Sequence, residues 1–161
     1  MEVSLRIKEI EINTLGDVES RIKYSQALKA YFSQDKIINK LSDLSKIRLQ
    51  NNPLRILDSK EKQDIELLND CPRLTDFLTA SSKASYEKIK RSLDVLKINY
   101  VENPNLVRGL DYYTELCFEI KYTGEDEEKT KDTLLGGGRY DLLIGQLRGS
   151  KLTKDQVPAV G

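Results

Sequence analysis

A chain of 161 residues is about one average domain, long enough for one buried core or two small ones. Its hydrophobic share of 39% and charged share of 32%, without a long apolar run, fit a globular chain and leave no room for a membrane span. Histidine is wholly absent, so serine–histidine and cysteine–histidine catalysis and the usual His-containing zinc sites cannot be built here.

The net charge is zero but unevenly spread. Residues 1–16 carry −1, residues 17–100 hold 16 Lys and Arg against 12 Asp and Glu, and residues 101–161 hold 8 against 11. An excess of four positive charges is a weak nucleic-acid signal, and taken alone a plain solvated surface explains it better. Cys71 and Cys117, the only cysteines, read as two small buried residues in a reducing compartment, with a lone disulfide as the lesser alternative. No basic segment followed by an apolar stretch opens the chain, so nothing suggests secretion.

Val3, Leu5 and Ile7 alternate with polar residues and Ile10 and Ile12 resume one step out of phase, which predicts a strand with a bulge near Lys8–Glu9. Thr14-Leu15-Gly16 ends it. From Asp17 the period becomes helical, with Val18, Ile22, Leu28 and Phe32 on the apolar face and Tyr24, Ala27 and Tyr31 beside them. Shorter helices follow near 35–41 and 43–49, the second capped by Ser42, until Asn51-Asn52-Pro53 stops them. Leu54 to Leu57 is ambiguous. Ser59 reads as the cap of a helix running to about Leu68, and Pro72 as the first turn of another ending near Leu78. Ser81 or Ser82 opens the clearest helix, with Tyr86, Ile89, Leu93 and Leu96 on one face. Ile98 to Val101 resembles a strand, closed by Asn103-Pro104-Asn105. Tyr112 to Tyr122 alternates as a long strand, residues 124–131 read as a solvated charged hairpin loop, and a helix follows from Tyr140 to Leu147. A mostly helical segment is thus flanked by strand-forming stretches, which suggests helices set between strands of one sheet.

Two constellations could carry chemistry. Around Gly109, Arg108, Asp111, Tyr112 and Tyr113 meet at a strand entrance. A guanidinium suits phosphate or carboxylate oxygens, and phenols offer hydroxyls and flat faces to a small polar ring. A salt bridge between Arg108 and Asp111, with tyrosines packing a hairpin, explains the same residues. Gly136-Gly137-Gly138-Arg139-Tyr140-Asp141 is the second, open to a close backbone approach or to a flexible turn before a helix. It is neither a Walker loop nor a dinucleotide fingerprint.

In order and approximate spacing, Arg-Gly-Leu-Asp-Tyr-Tyr-Thr at 108–114, Phe118-Glu119, Gly-Gly-Gly-Arg-Tyr-Asp at 136–141 and Val-Pro-Ala-Val-Gly at 157–161 resemble the histidyl-tRNA synthetases. The upstream stretches Ile12 to Gly16, Tyr24 to Leu28, Asn52 to Asp58 and Leu68 to Pro72 look like that family's insertion region, so the resemblance covers essentially the whole chain. It implies an α+β fold: part of a class II synthetase antiparallel sheet, with core segments at 1–16 and 101–161 and a mostly helical insertion domain at 17–100. It implies a cytoplasmic, homodimeric parent enzyme without membrane attachment. That enzyme joins histidine to ATP, with magnesium, and then transfers histidine to its tRNA.

Arg108 would then contact the α-phosphate and the histidine carboxylate, Tyr112 and Tyr113 would line the histidine pocket, and Tyr140 would help hold the imidazole. Lys83, Lys88, Lys90 and Arg91 are the candidate tRNA contacts, on a helix whose apolar stripe should turn them to solvent. No residue is assigned to a metal. Glu115-Leu116 departs from the small or basic residue and threonine that many relatives carry. The family's first two motifs and its anticodon domain have no counterpart in these residues, so the expectation is a fragment that binds no cofactor and is inactive alone. Two other readings are the synthetase-like regulatory subunit of ATP phosphoribosyltransferase, expected to lack the helical insertion, and the synthetase-like sensor domain of a starvation-responsive kinase, expected to have a degraded histidine pocket.

Overall fold

The computed structural model describes residues 6–107, 113–123, 132–147 and 157–161. Strand β1 spans Arg6–Thr14, and its pairing slips between Ile7 and Glu9 where the alternation changed phase. Gly16 then turns the chain in the left-handed region at φ 63, where a Cβ would also lie 2.6 Å from that of Ser20.

Helix α1 (Val18–Phe32) starts at Asp17, whose carboxylate accepts the Ser20 N–H at 2.8 Å. Its buried face is Ser20, Tyr24, Leu28 and Phe32, while Ile22 is 54% exposed. The apolar residues alone therefore mislead at its first turn. Ser20 is inside because its hydroxyl accepts the Thr79 N–H at 3.0 Å. Helices α2 (Asp35–Ile38) and α3 (Asp43–Asn51) follow, and Ser42 caps α3 by accepting the Ser45 N–H. The ambiguous stretch is a 3-10 turn, Pro53–Ile56.

Three boundaries differ from expectation. Helix α4 is Lys62–Leu68 and Ser59 does not cap it, because its hydroxyl is drawn to the buried Asp64 at 2.6 Å. Pro72 precedes only a 3-10 turn, Leu74–Phe77. Helix α5 is Ala80–Val95, capped by Thr79 through the Ser82 N–H, so both serines lie inside it.

One apolar core serves this helical stretch: Tyr24, Leu28 and Phe32 from α1 meet Leu41, Leu49, Ile56, Leu57, Leu68 and Leu74. Leu28, Phe32 and Ile56 have no exposure, each contributing roughly 1.5–3 kcal/mol by leaving water.

The sheet has the order β2-β1-β3-β4, with β2 (Val101–Glu102), β3 (Thr114–Thr123) and β4 (Asp132–Arg139). It is antiparallel except that β2 runs parallel to β1, so the α+β class holds with a mixed sheet. β2 begins later than the sequence suggested because Ile98 still belongs to the helix end: Lys97 turns at φ 55 and the Ile98 N–H reaches back to the Leu93 carbonyl at 2.9 Å.

The triple glycine is strand, not turn. It lies in β4, and residues 157–161 run beside it, with Gly138 and Gly161 exchanging backbone bonds at 2.8 and 3.2 Å. A Cβ on Gly137 would stand 2.2 Å from the Gly161 carbonyl oxygen, which is why glycine is needed. Helix α6 (Asp141–Leu147) follows. The charged stretch 124–131 lies outside the described residues. Neither cysteine is in a disulfide; Cys117 is buried and Cys71 half-buried.

Candidate functional site

β3 and β4 bring Tyr113 and Tyr140 together at one end of the sheet. Their ring centroids are 6.0 Å apart and the rings perpendicular, an edge-to-face pair. Tyr113 packs with Leu15, Leu106 and Cys117, which turns one ring face to the core. Arg21 of α1 donates from Nη1 to the Tyr113 carbonyl at 2.9 Å. The Tyr140 N–H is held by the Ala159 carbonyl at 2.9 Å. Asp141 fixes the same corner, accepting the Ala159 N–H at 3.1 Å and Arg139 Nε–H at 2.7 Å. The other two residues of the expected pocket, Arg108 and Tyr112, lie outside the described residues.

Between Thr114 and Cys117 the β3–β4 register shifts, and Glu115 sits there at φ 53. Its Oε1 accepts from Ser82 Oγ at 2.8 Å, whereas Glu115 Oε2 and Thr114 Oγ1 are buried without a partner among the described residues. Burial pushes the Glu115 carboxyl above its ordinary value of 4.5, and the Ser82 bond opposes that only in part. Both residues face a cavity of about 190 Å³ shared with Asp17, Ser81, Ser85 and Arg139. Sequence reading missed Arg21 and Ser82, since nothing in an isolated helix marks an arginine or serine that will meet a distant strand. Glu115 carried a signal, as a departure from the expected residue.

Helix α5 divides the basic candidates. Lys83, Lys88 and Arg91 are exposed. Lys90 departs from expectation: its side chain is only 18% exposed, with Nζ 2.8 Å from Glu87, 3.2 Å from Glu102 and over the Tyr86 ring. It is already paired, so phosphate would have to displace two carboxylates. The apolar stripe is also shorter than the sequence suggested, for Tyr86 is buried but Leu96 is 67% exposed. Its end has passed the core, into the turn at Lys97.

No family profile matches the chain. A solved structure does: apo histidyl-tRNA synthetase of S. aureus superposes with a TM-score of 0.64 at 40% identity, over 89% of this chain and 33% of that one. The fold of the described chain is thus similar to part of an aminoacyl-tRNA synthetase. Within that class the chain is a relative of the histidine–tRNA ligases. It is 44% identical to those of Lactobacillus helveticus and Fervidobacterium nodosum over 99% of its own length. It spans about a third of those relatives, 36% and 35%. The regulatory-subunit and kinase-sensor readings are not favoured by this.

Proposed function

We propose that the chain is the histidine-recognising part of a histidine–tRNA ligase. The observation that carries this reading is the perpendicular pair Tyr113–Tyr140, at the ends of the neighbouring strands β3 and β4 and within motifs that resemble the family's. Phenol hydroxyls can pair with both nitrogens of an imidazole, and a pocket built for such bonds rejects apolar amino acids strongly. Tyr112 joins them as a wall. Arg108 contacts the α-phosphate of ATP and the histidine carboxylate, where a guanidinium stabilises charge building up on the phosphoryl oxygens.

The parent reaction joins histidine to ATP, releases pyrophosphate and passes histidine to its tRNA. The parent enzyme is a cytoplasmic homodimer with a class II core. Residues 1–16 and 101–161 belong to that core, and 17–100 form a module that touches tRNA through Lys83, Lys88 and Arg91. Magnesium enters only as the companion of ATP. Among the described residues no three carboxylate or thiol groups gather closely enough to hold a metal ion. No helix among the described residues is long and apolar enough to cross a membrane.

Tyr140→Phe and Tyr113→Phe in the full-length protein should each raise the histidine KM by roughly 10- to 100-fold in histidine-dependent ATP–pyrophosphate exchange, with the ATP KM little changed. A histidine KM at the wild-type value in both variants would remove the tyrosine pair from the pocket.

A further inference from the structure

The strand carrying Tyr113 is gripped twice by the helical stretch. Arg21 of α1 holds the Tyr113 carbonyl, and two residues on, Ser82 in the first turn of α5 holds the Glu115 carboxylate. The backbone around Glu115 is equally committed. Its N–H donates to the Gly16 carbonyl at 3.0 Å, and its own carbonyl accepts the Leu15 N–H at 2.6 Å. Ser82 Oγ in turn accepts the Asp17 N–H at 3.1 Å, while Thr79 Oγ1 donates to the Asp17 carboxylate at 2.5 Å. Thus the caps of α1 and α5 and the bulge of β3 form one hydrogen-bonded knot.

Glycine would take a φ of 53 without strain, whereas a glutamate there must be held by its surroundings. The side chain that holds it reaches 33 positions back along the chain, into a different element. A residue kept in a disfavoured conformation beside a pocket, and anchored by its own side chain, is a candidate for setting that pocket's shape.

We propose that Glu115 is a positioning residue: its bond to Ser82 ties the first turn of α5 to the Tyr113 strand, so that the helical stretch sets the placement of Tyr113 and with it the affinity for histidine. This rests on the reading of Tyr113 as a wall of the histidine pocket. The leverage is short, because Tyr113 and Glu115 are separated by one residue, Thr114, whose side chain is itself buried. Hydrogen bonds from a phenol to a ring nitrogen weaken steeply with small displacements.

The test uses the full-length protein with Glu115→Gly, Ser82→Ala, both together, and Glu115→Gln. Glu115→Gly keeps the bulge backbone comfortable and removes the side chain with its carboxylate. Glu115→Gln keeps an oxygen that can accept from Ser82. Histidine KM, ATP KM and kcat are read by ATP–pyrophosphate exchange, and Tm by calorimetry.

Glu115→Gly and Ser82→Ala should each raise the histidine KM on the order of tenfold, with kcat and ATP KM within about twofold. The double variant should lose less than the sum of the single ones and match Ser82→Ala, because both remove the Ser82–Glu115 bond and Ser82→Ala alone also removes the acceptor of the Asp17 N–H. Glu115→Gln should stay near wild type, and Glu115→Gly should keep its Tm. An unchanged histidine KM in Glu115→Gly, additive losses in the double variant, or a fall in kcat and Tm without a change in KM each overturn the proposal. A wild-type protein that neither binds nor activates histidine overturns the reading of the pocket and this inference with it. An active wild type with indifferent variants overturns this inference alone.

Discussion

Asp64 has no solvent exposure, yet it is one of the best-served polar groups in the molecule. Its carboxylate accepts the Ser42 N–H at 2.9 Å and the hydroxyls of Ser42, Ser45 and Ser59 at 2.7, 2.6 and 2.6 Å. Burial alone would raise its pKa, but these four donors outweigh it and hold the carboxyl below its ordinary value of 3.8. The lowered folded value means that Asp64 contributes stability above about pH 4 and loses it as pH falls through the folded pKa. Glu115 has the opposite sign. Its raised folded value favours the protonated form, so its contribution is present below the ordinary 4.5 and is lost as pH rises through the folded pKa. Asp64→Ala should destabilise by about 3 kcal/mol at pH 7, since it strands several buried donors. In urea melts from pH 7 to 3, Asp64→Asn should show a shallower loss of stability in acid than wild type. A parallel acid loss in both would mean that other carboxylates dominate. Of this only the Ser42 cap was legible in the sequence. Ser59 read as a cap as well and Asp64 was not singled out, because convergence on one point depends on how three elements pack.

Helix α5 was the plainest element to read, since Tyr86, Ile89 and Leu93 repeat with helical spacing and no glycine or proline interrupts them. Its start was misplaced by one or two residues, as serine and threonine both cap helices and packing chose Thr79 over the intrinsically better serines. The same helix carries Lys83, Lys88 and Arg91 into solvent and keeps Lys90 for Glu87 and Glu102. That division makes a sharper prediction than the sequence allowed. Lys88→Glu with Arg91→Glu in the full-length protein should raise the tRNA KM and flatten its salt dependence, while histidine activation without tRNA barely changes. Equal losses in both assays would indicate damaged folding, and charging that is unchanged across salt concentrations would leave these side chains as plain surface. Lys90→Ala should act differently, through lost pairing with two carboxylates more than through RNA. In β4 the three glycines left a close backbone approach and a flexible turn both open, and the approach of residues 157–161, invisible locally, decides for the first and makes them strand.

At the scale of the whole molecule, the alternation of β1 and β3 and the helical middle were enough to suggest the α+β class, but not the order of the strands. The unforeseen pairing is the parallel one, where Ile12 stands beside Glu102 and the Asn13 amide donates to the carbonyls of Pro104 and Leu106, 91 and 93 positions away. Closing so long a loop from an unfolded chain costs on the order of 4 kcal/mol in entropy before any contact rewards it. If the helices fold first, the same two ends are delivered side by side and most of that cost has already been met. A folding order follows: helical core early, sheet late. Pulse-labelling hydrogen exchange should find amides of α1, α3 and α5 protected before those of β1 and β3, and simultaneous protection would contradict the order. A departure and a return at neighbouring places in a sheet also form a doorway. What hangs from it far from Arg21 and Ser82 can be lengthened or shortened while the strands on either side keep their register, so the freedom to change lies in the interior of the helical stretch and not at its two anchors.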